Sequence, residues 1–241
     1  MNIDRRYLWK EAFGDTDAFL DIFSATAYAD ERTNHIEIDG KTVAALYWFD
    51  CEYAEKKIAY IYAVATAKAH RGQGLCHRLM EHTHRRLQSQ GYAGALLVPG
   101  SRELVRLYAD MGYEPCTCVG QLTVAAEGVT DCVPIDKREY AALRRQRLPQ
   151  GGVIQEGENL DFLEKQAQFY RGSDFVLAAR KEGEKLVGLE LLGNTKTASA
   201  IVGALGCASG EFRVPNGNTP FAMSLFFEEM AKPSYFGLAF D

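Results

Sequence analysis

Apolar residues recur along the chain with two periods, and the switches between them mark out elements. Asp15-Thr16-Asp17 is followed by Phe19, Leu20, Ile22 and Phe23. Acids and a capping threonine ahead of an apolar face predict a helix reaching about Ala29. Residues 35–38 and 43–49 are strand-like and are divided by Asp39-Gly40, the strongest short-range hairpin signal. Beyond the charged Glu55-Lys56-Lys57, residues 58–66 read as a further strand rich in Tyr, Val and Ala, and residues 68–74 break it. Leu75, Leu79, Met80, Thr83 and Leu87 then recur at helical spacing, with Arg78, Glu81, Arg85 and Arg86 mostly opposite. Gly91 is a natural C-cap. Residues 93–98 form a short apolar strand ended by Pro99-Gly100, and Ser101 caps a helix carrying Leu104, Val105, Leu107 and Tyr108, with Gly112 closing it. Residues 116–124 are strand-like again. The order is helix, antiparallel hairpin, strand, helix, strand, helix, strand, which is mixed α/β.

The rest of the chain reads as a reduced second copy. Offsetting by 143 sets Phe19-Leu20 on Phe162-Leu163, Asp39-Gly40 on Glu182-Gly183 and Val43-Ala44 on Leu186-Val187. Val98-Pro99 finds its echo in Val214-Pro215 at an offset of only 116. The shortfall falls where the first copy carries residues 58–74, so the second is expected to lack both the central strand and the Gly-rich turn. The joint is expected near 125–140, giving domains 1–130 and 131–241.

Composition narrows the classes. The 241 residues are 47% hydrophobic and 24% charged, which is globular. A formal charge of −5, from 27 basic and 32 acidic residues, provides no global field for nucleic acid. No apolar run reaches the ~18–20 residues of a membrane span, and the polar start Met1 to Arg6 leads into no signal-type core. The expectation is a cytoplasmic protein with reduced thiols. The six cysteines (51, 76, 116, 118, 132 and 207) show no spacing suited to zinc, and no metal is expected. Cys116 and Cys118 alternate along a strand and are expected on one face. His77, His82 and His84 form no i, i+4 pair and read as helix surface; Arg144-Arg145-Gln146-Arg147 reads as a solvated helix end.

The chemistry concentrates in Arg71-Gly72-Gln73-Gly74-Leu75-Cys76, between a strand and a helix. Glycines there turn backbone N–H groups toward a ligand, and the helix start adds partial positive charge for a phosphate. A dinucleotide fingerprint would need Gly or Ala at His77, and a nucleoside-triphosphatase loop would need Gly-Lys-Ser/Thr. A third competing reading is a pyrophosphate cradle for coenzyme A. In this segment the chain resembles the GNAT superfamily of acyl-CoA-dependent N-acyltransferases. That family's Arg/Gln-x-x-Gly-x-Gly/Ala motif is matched except that Cys76 replaces the last small residue. Its later motif, a capping polar residue and then Leu-Tyr, three residues and Gly-aromatic, is matched from Ser101 to Tyr113.

The resemblance covers roughly residues 1–125 and implies a mixed, mostly antiparallel sheet flanked by helices, followed by a smaller, degenerate GNAT-like half. It implies acetyl-CoA as acyl donor, with Val64, Ala65 and Thr66 lying where the central strands splay apart and pairing through their backbone with the pantetheine arm. It also implies Arg71, Gly72, Gln73, Gly74, Leu75 and Cys76 at the pyrophosphate and Ser101 among the cofactor-binding positions. Tyr108 matches the tyrosine that protonates the departing thiolate, and a backbone N–H of Val64 would polarise the thioester carbonyl. The acceptor would be a primary amine of a small molecule or peptide. Relatives that place a Glu at the start of the central strand differ from this chain, which has Tyr60. Asp50, Glu52 and the terminal carboxylate of Asp241 are the base candidates, and Tyr53, Tyr60 and Tyr62 are candidates for lining the acceptor pocket. A non-catalytic acyl-CoA-binding module is the alternative, and homo-oligomerisation is left open.

Overall fold

The computed structural model describes residues 1–240, in two compact units. The first comprises Met1–Glu114, Gly157–Phe162 and Met223–Ala231; the second comprises Pro115–Glu156, Leu163–Ala222 and the chain from Lys232. The chain thus leaves the first unit at residues 114–115, ahead of the expected joint, and returns to it twice.

The first unit opens with a helix that periodicity does not announce. α1 (Ile3–Phe13) starts at Asn2, whose side chain accepts from the Asp4 N–H, and ends at left-handed Gly14. Leu8 and Trp9 are buried, while Ile3, Tyr7 and Phe13 face solvent, so no apolar stripe forms. α2 (Asp17–Thr26) is capped by Thr16. β1 (Thr33–Ile38) and β2 (Lys41–Tyr53) meet at Asp39-Gly40, both at positive φ, the twist a two-residue hairpin needs. β3 (Lys56–Thr66) follows through Ala54-Glu55, likewise at positive φ. Then come α3 (Leu75–Ser89), β4 (Gly94–Leu97), α4 (Arg102–Asp110) and the two-residue β5 (Glu114–Pro115). The sixth strand, β12 (Met223–Phe226), arrives from far along the chain and pairs antiparallel with β4, so the sheet reads β1-β2-β3-β4-β12-β5. Every strand pair described here is antiparallel except β3 with β4.

Alternation along β2 and β3 divides this unit's core. Leu46, Trp48, Ala59 and Ile61 join Leu75, Leu79, Met80 and Leu87 of α3 and Tyr108 of α4. Tyr47 and Phe49 instead meet Phe23 of α2, and the returning Phe162 closes that layer with ring centroids 5.3 Å from Phe23, 5.6 Å from Phe19 and 6.1 Å from Phe49.

The second unit contains β6 (Cys118–Ala125), β7 (Val133–Ile135), α5 (Lys137–Arg147), β8 (Gln168–Arg171), β9 (Phe175–Glu182), β10 (Lys185–Gly193), α7 (Ala198–Ala204) and β11 (Ser209–Pro220). Its sheet runs β6-β11-β10-β9-β8-β7 and is antiparallel except for β10 with β11. α6 (Glu158–Leu163) lies almost wholly in the first unit. The consecutive antiparallel strands β8, β9 and β10 lead into α7, so this half keeps a central strand, contrary to expectation. The offset of 143 set the first hairpin on β9 and β10 because β8 is only four residues long and has no turn signal before it.

Three smaller expectations are also corrected. Arg144 is buried rather than solvated, bonding Glu190 at 2.6 and 3.0 Å. His84 is half-buried, with its Nε2 2.9 Å from the Tyr113 hydroxyl. Cys118 is exposed and Cys116 half-buried, because β6 begins only at residue 118; among the described residues no two cysteines form a disulfide. Among the described residues no helix is long and apolar enough to cross a membrane, and no group of three or more His, Cys, Asp or Glu is placed to hold a metal ion.

Candidate active site

The site begins where two parallel strands part. β3 and β4 pair only from Ile58↔Gly94 to Tyr60↔Leu96, after which β3 continues alone on that side to Thr66. The separation coincides with a bulge. Tyr47 faces Tyr62 and Ala45 faces Ala65, so Ala63 and Val64 together oppose Leu46. An extra residue bends and twists a strand at such a point. Ala63 is held at φ 52°, and its carbonyl accepts from the Trp9 indole N–H at 2.9 Å. The first helix therefore pins the bulge, a contact that nothing in the sequence pattern announced.

Past Thr66 the chain turns through residues 68–74 into α3. The Lys68 N–H donates to Glu11 of α1 at 2.9 Å, and the Arg71 Nε donates to the Thr66 carbonyl at 3.1 Å. Gly72 and Gly74 both sit at φ 73°, with nothing within 4 Å of where a Cβ would stand. Gly74 begins α3 without a side-chain cap. Left-handed glycines ahead of an uncapped helix leave its first N–H groups without a side-chain cap, an arrangement that can receive an anion. Arg71, Gly72, Gln73 and Gly74 are exposed, as a cradle requires.

Val64, Leu75, Cys76 and Tyr108 pack into one apolar cluster, which brings the strand, cradle and α4 candidates together. Tyr108 is 6% exposed and lies edge-on to Tyr113 at 5.9 Å, and no hydrogen bond joins its hydroxyl to another of the described residues. Burial holds its phenol well above the ordinary value, with the Cys76 thiol adding to the effect. The group is thus a protonated donor at neutral pH. Burial likewise pushes the Cys76 thiol up. Ser101 is spent differently: its Oγ caps α4 by accepting from the Leu104 N–H at 3.3 Å.

The other candidates lie apart from this cluster. Asp50 opposite Ala59 and Glu52 opposite Lys57 are several residues down the sheet from the bulge. Asp50 pairs with Lys57 at 3.0 Å and accepts from the Tyr92 hydroxyl. The Glu158 carboxylate and the Asn159 amide hold its backbone at 2.8 and 2.7 Å. Tyr60 stacks on Phe49 and Tyr53 on Phe226, both rings buried, whereas Tyr62 keeps partial exposure. Asp241 lies outside the described residues.

Comparison with known proteins agrees with this geometry. The acetyltransferase (GNAT) domain profile matches residues 5–116, and those residues are a GNAT acetyltransferase domain. The fold is similar to that of a GCN5-related N-acetyltransferase from Kribbella flavida, at 15% identity and TM-score 0.71, over 92% of this chain and 68% of that one. A probable N-acyltransferase from Enterococcus faecalis gives 19% identity and TM-score 0.69, over 92% and 69%. A putative acetyltransferase from Pyrococcus horikoshii gives 14% identity and TM-score 0.63, over 98% and 89%. At these identities the likeness is one of fold. No curated protein matches the sequence.

Proposed function

We propose that the chain transfers the acetyl group of acetyl-CoA to a primary amine of a small molecule or peptide by direct attack. The observation that carries this reading is the parting of β3 from β4 beside an uncapped, Gly-flanked helix start and a buried tyrosine. An extended arm fits along Val64, Ala65 and Thr66, whose β4-facing side has no strand partner. The backbone from Arg71 to Cys76 receives the pyrophosphate.

In the reaction the amine nitrogen bonds to the acetyl carbon, the carbon–sulfur bond breaks, and the amine loses a proton. The Val64 N–H polarises the carbonyl, and Tyr108 delivers its proton to the departing thiolate. An alkylammonium with a pKa near 10 is about three units from neutral at pH 7, so deprotonation costs about 4 kcal/mol. A carboxylate or a water path to one must offset that cost. Asp50, already committed to Lys57 and Tyr92, is poorly placed for it. That commitment favours a second reading, a non-catalytic acyl-CoA-binding module. Thiol release from acetyl-CoA with a panel of primary amines separates the two. The enzyme reading expects turnover lost on Tyr108→Phe with acetyl-CoA affinity retained, whereas a pure binder shows no turnover with either chain.

A further inference from the structure

The second unit repeats the device on which the first depends. β10 and β11 run parallel for only four pairs, from Lys185↔Ser209 to Gly188↔Phe212. Beyond them β10 carries a bulge: Gly188 faces Ala179 but Glu190 faces Ala178, leaving Leu189 as the extra residue. The order of elements from β8 onward also matches that from β1, with three antiparallel strands, a helix, and a strand parallel to the third, while β7 on the far side of β8 has no counterpart. The connection into the helix is where the copies differ. Asn194 to Thr197 joins β10 directly to α7 without a Gly-rich turn, so no phosphate cradle exists there.

The chain itself lies against the side chains of Glu190 and Arg213, the residues just past the last β10–β11 pair. The Gly237 carbonyl accepts from Arg213 of β11 at 2.9 Å. A Cβ on Gly237 would stand 2.2 Å from the Glu190 Oε1 of β10 and 2.2 Å from the Tyr235 hydroxyl, so any side chain there must displace one of these buried groups. On either side the main chain is satisfied. The Tyr235 carbonyl accepts from the Val153 N–H at 2.8 Å, and the Gln155 side chain takes both the N–H and the carbonyl of Leu238. Residues 235–240 are buried throughout. Below them Glu190, with no solvent exposure, is held by Arg144 and by Tyr140 at 3.0 Å, both from α5.

We infer that the second unit contains a second cleft of the same build, closed in cis, with residues 235–240 as its resident peptide ligand. The substitution is chemically apt. A pantetheine arm is a flexible chain with two amide groups, and an extended peptide presents amide donors and acceptors to the same kind of strand opening. The cleft therefore selects a main chain carrying glycine at the point of closest approach. It rests on the reading of the first unit only through the likeness of the two openings.

Hydrogen exchange of the full chain, followed by peptide mass spectrometry, tests this. Residues 235–240 are expected to exchange as slowly as β10, and saturating acetyl-CoA is expected to slow exchange across residues 61–76 but not across β10. Gly237→Val is expected to speed exchange of 235–240 at least tenfold and to bind a synthetic peptide spanning residues 234–240, which the unaltered chain does not. Gly237→Ala serves if the valine variant does not fold. Rapid exchange of 235–240 in the unaltered chain, protection of β10 by acetyl-CoA, or unaltered exchange in a folded Gly237 variant would overturn the inference. If acetyl-CoA protects no segment, the reading of the first unit fails, and exchange of 235–240 still decides this one.

Discussion

Cutting the chain at residue 130 should not release a folded first unit. That fragment retains α1 to β5 but loses α6 and β12, both integral to the unit. Phe162 is fully buried among Phe19, Phe23 and Phe49, and Leu160 and Met223 are at most 2% exposed. Burying a side chain of this size stabilises by roughly 1.5–3 kcal/mol, so the three together contribute about 5–9 kcal/mol. The cut also strips β4 of β12 and leaves the Asp50 backbone without Glu158 and Asn159. Since a whole domain is stable by only about 5–15 kcal/mol, the loss is comparable to the total. Far-ultraviolet circular dichroism during thermal unfolding gives the comparison, with the single variant Phe162→Ala as an intermediate case expected to cost about 3–5 kcal/mol. A fragment 1–130 that melts cooperatively within a few degrees of the full chain would refute the reasoning.

Other expectations follow from single contacts. Tyr108→Phe should lower kcat by about 10²–10⁴ while leaving the acetyl-CoA Kd within a factor of two, measured by thiol release and calorimetry. Gly74→Val places a β-branched residue at φ 73° in open space, so it should raise the acetyl-CoA Kd at least tenfold while costing only about 1–2 kcal/mol in urea unfolding. Arg144→Met strands the buried Glu190 and should destabilise by about 3–5 kcal/mol, whereas Arg144→Met with Glu190→Leu should recover most of that loss. Burial lowers His84 from 6.5 to about 4, so the unfolded chain takes up this proton before the folded one does. Stability should therefore fall by up to about 3 kcal/mol as pH drops from 6.5 toward 4, and His84→Gln should flatten that slope in denaturant titrations at stepped pH.

The parts of the fold legible in the sequence are those written in local periodicity. Asp39-Gly40 marks the hairpin, Thr16 and Ser101 mark helix starts, and the unbroken apolar run of residues 43–49 marks a strand buried on both faces. The turn through Gly72 and Gly74 was legible because both positions are required by backbone conformation, which a sequence records directly. The parting of β3 from β4 near Val64 to Thr66 was expected only through the family resemblance, since no residue type advertises the bulge at Ala63 or the contact to it from Trp9 some fifty residues earlier. α1 escaped notice because it buries Leu8 and Trp9 without a continuous stripe. Arg144 was misread for a related reason: a basic run at a helix end is ordinarily solvated, and only the distant Glu190 makes burial of one member affordable. The interleaving of the two units, with β12 in the first sheet, is a long-range pairing that periodicity does not encode.

Isothermal titration of acetyl-CoA into the full chain and into the Gly74→Val variant tests the central claim most directly. One site per chain, weakened at least tenfold by the variant, is the result expected if the opening between β3 and β4 and the Gly72–Gly74 turn form the acyl-donor site. No binding to the unaltered chain, or binding that the variant leaves intact, would contradict it.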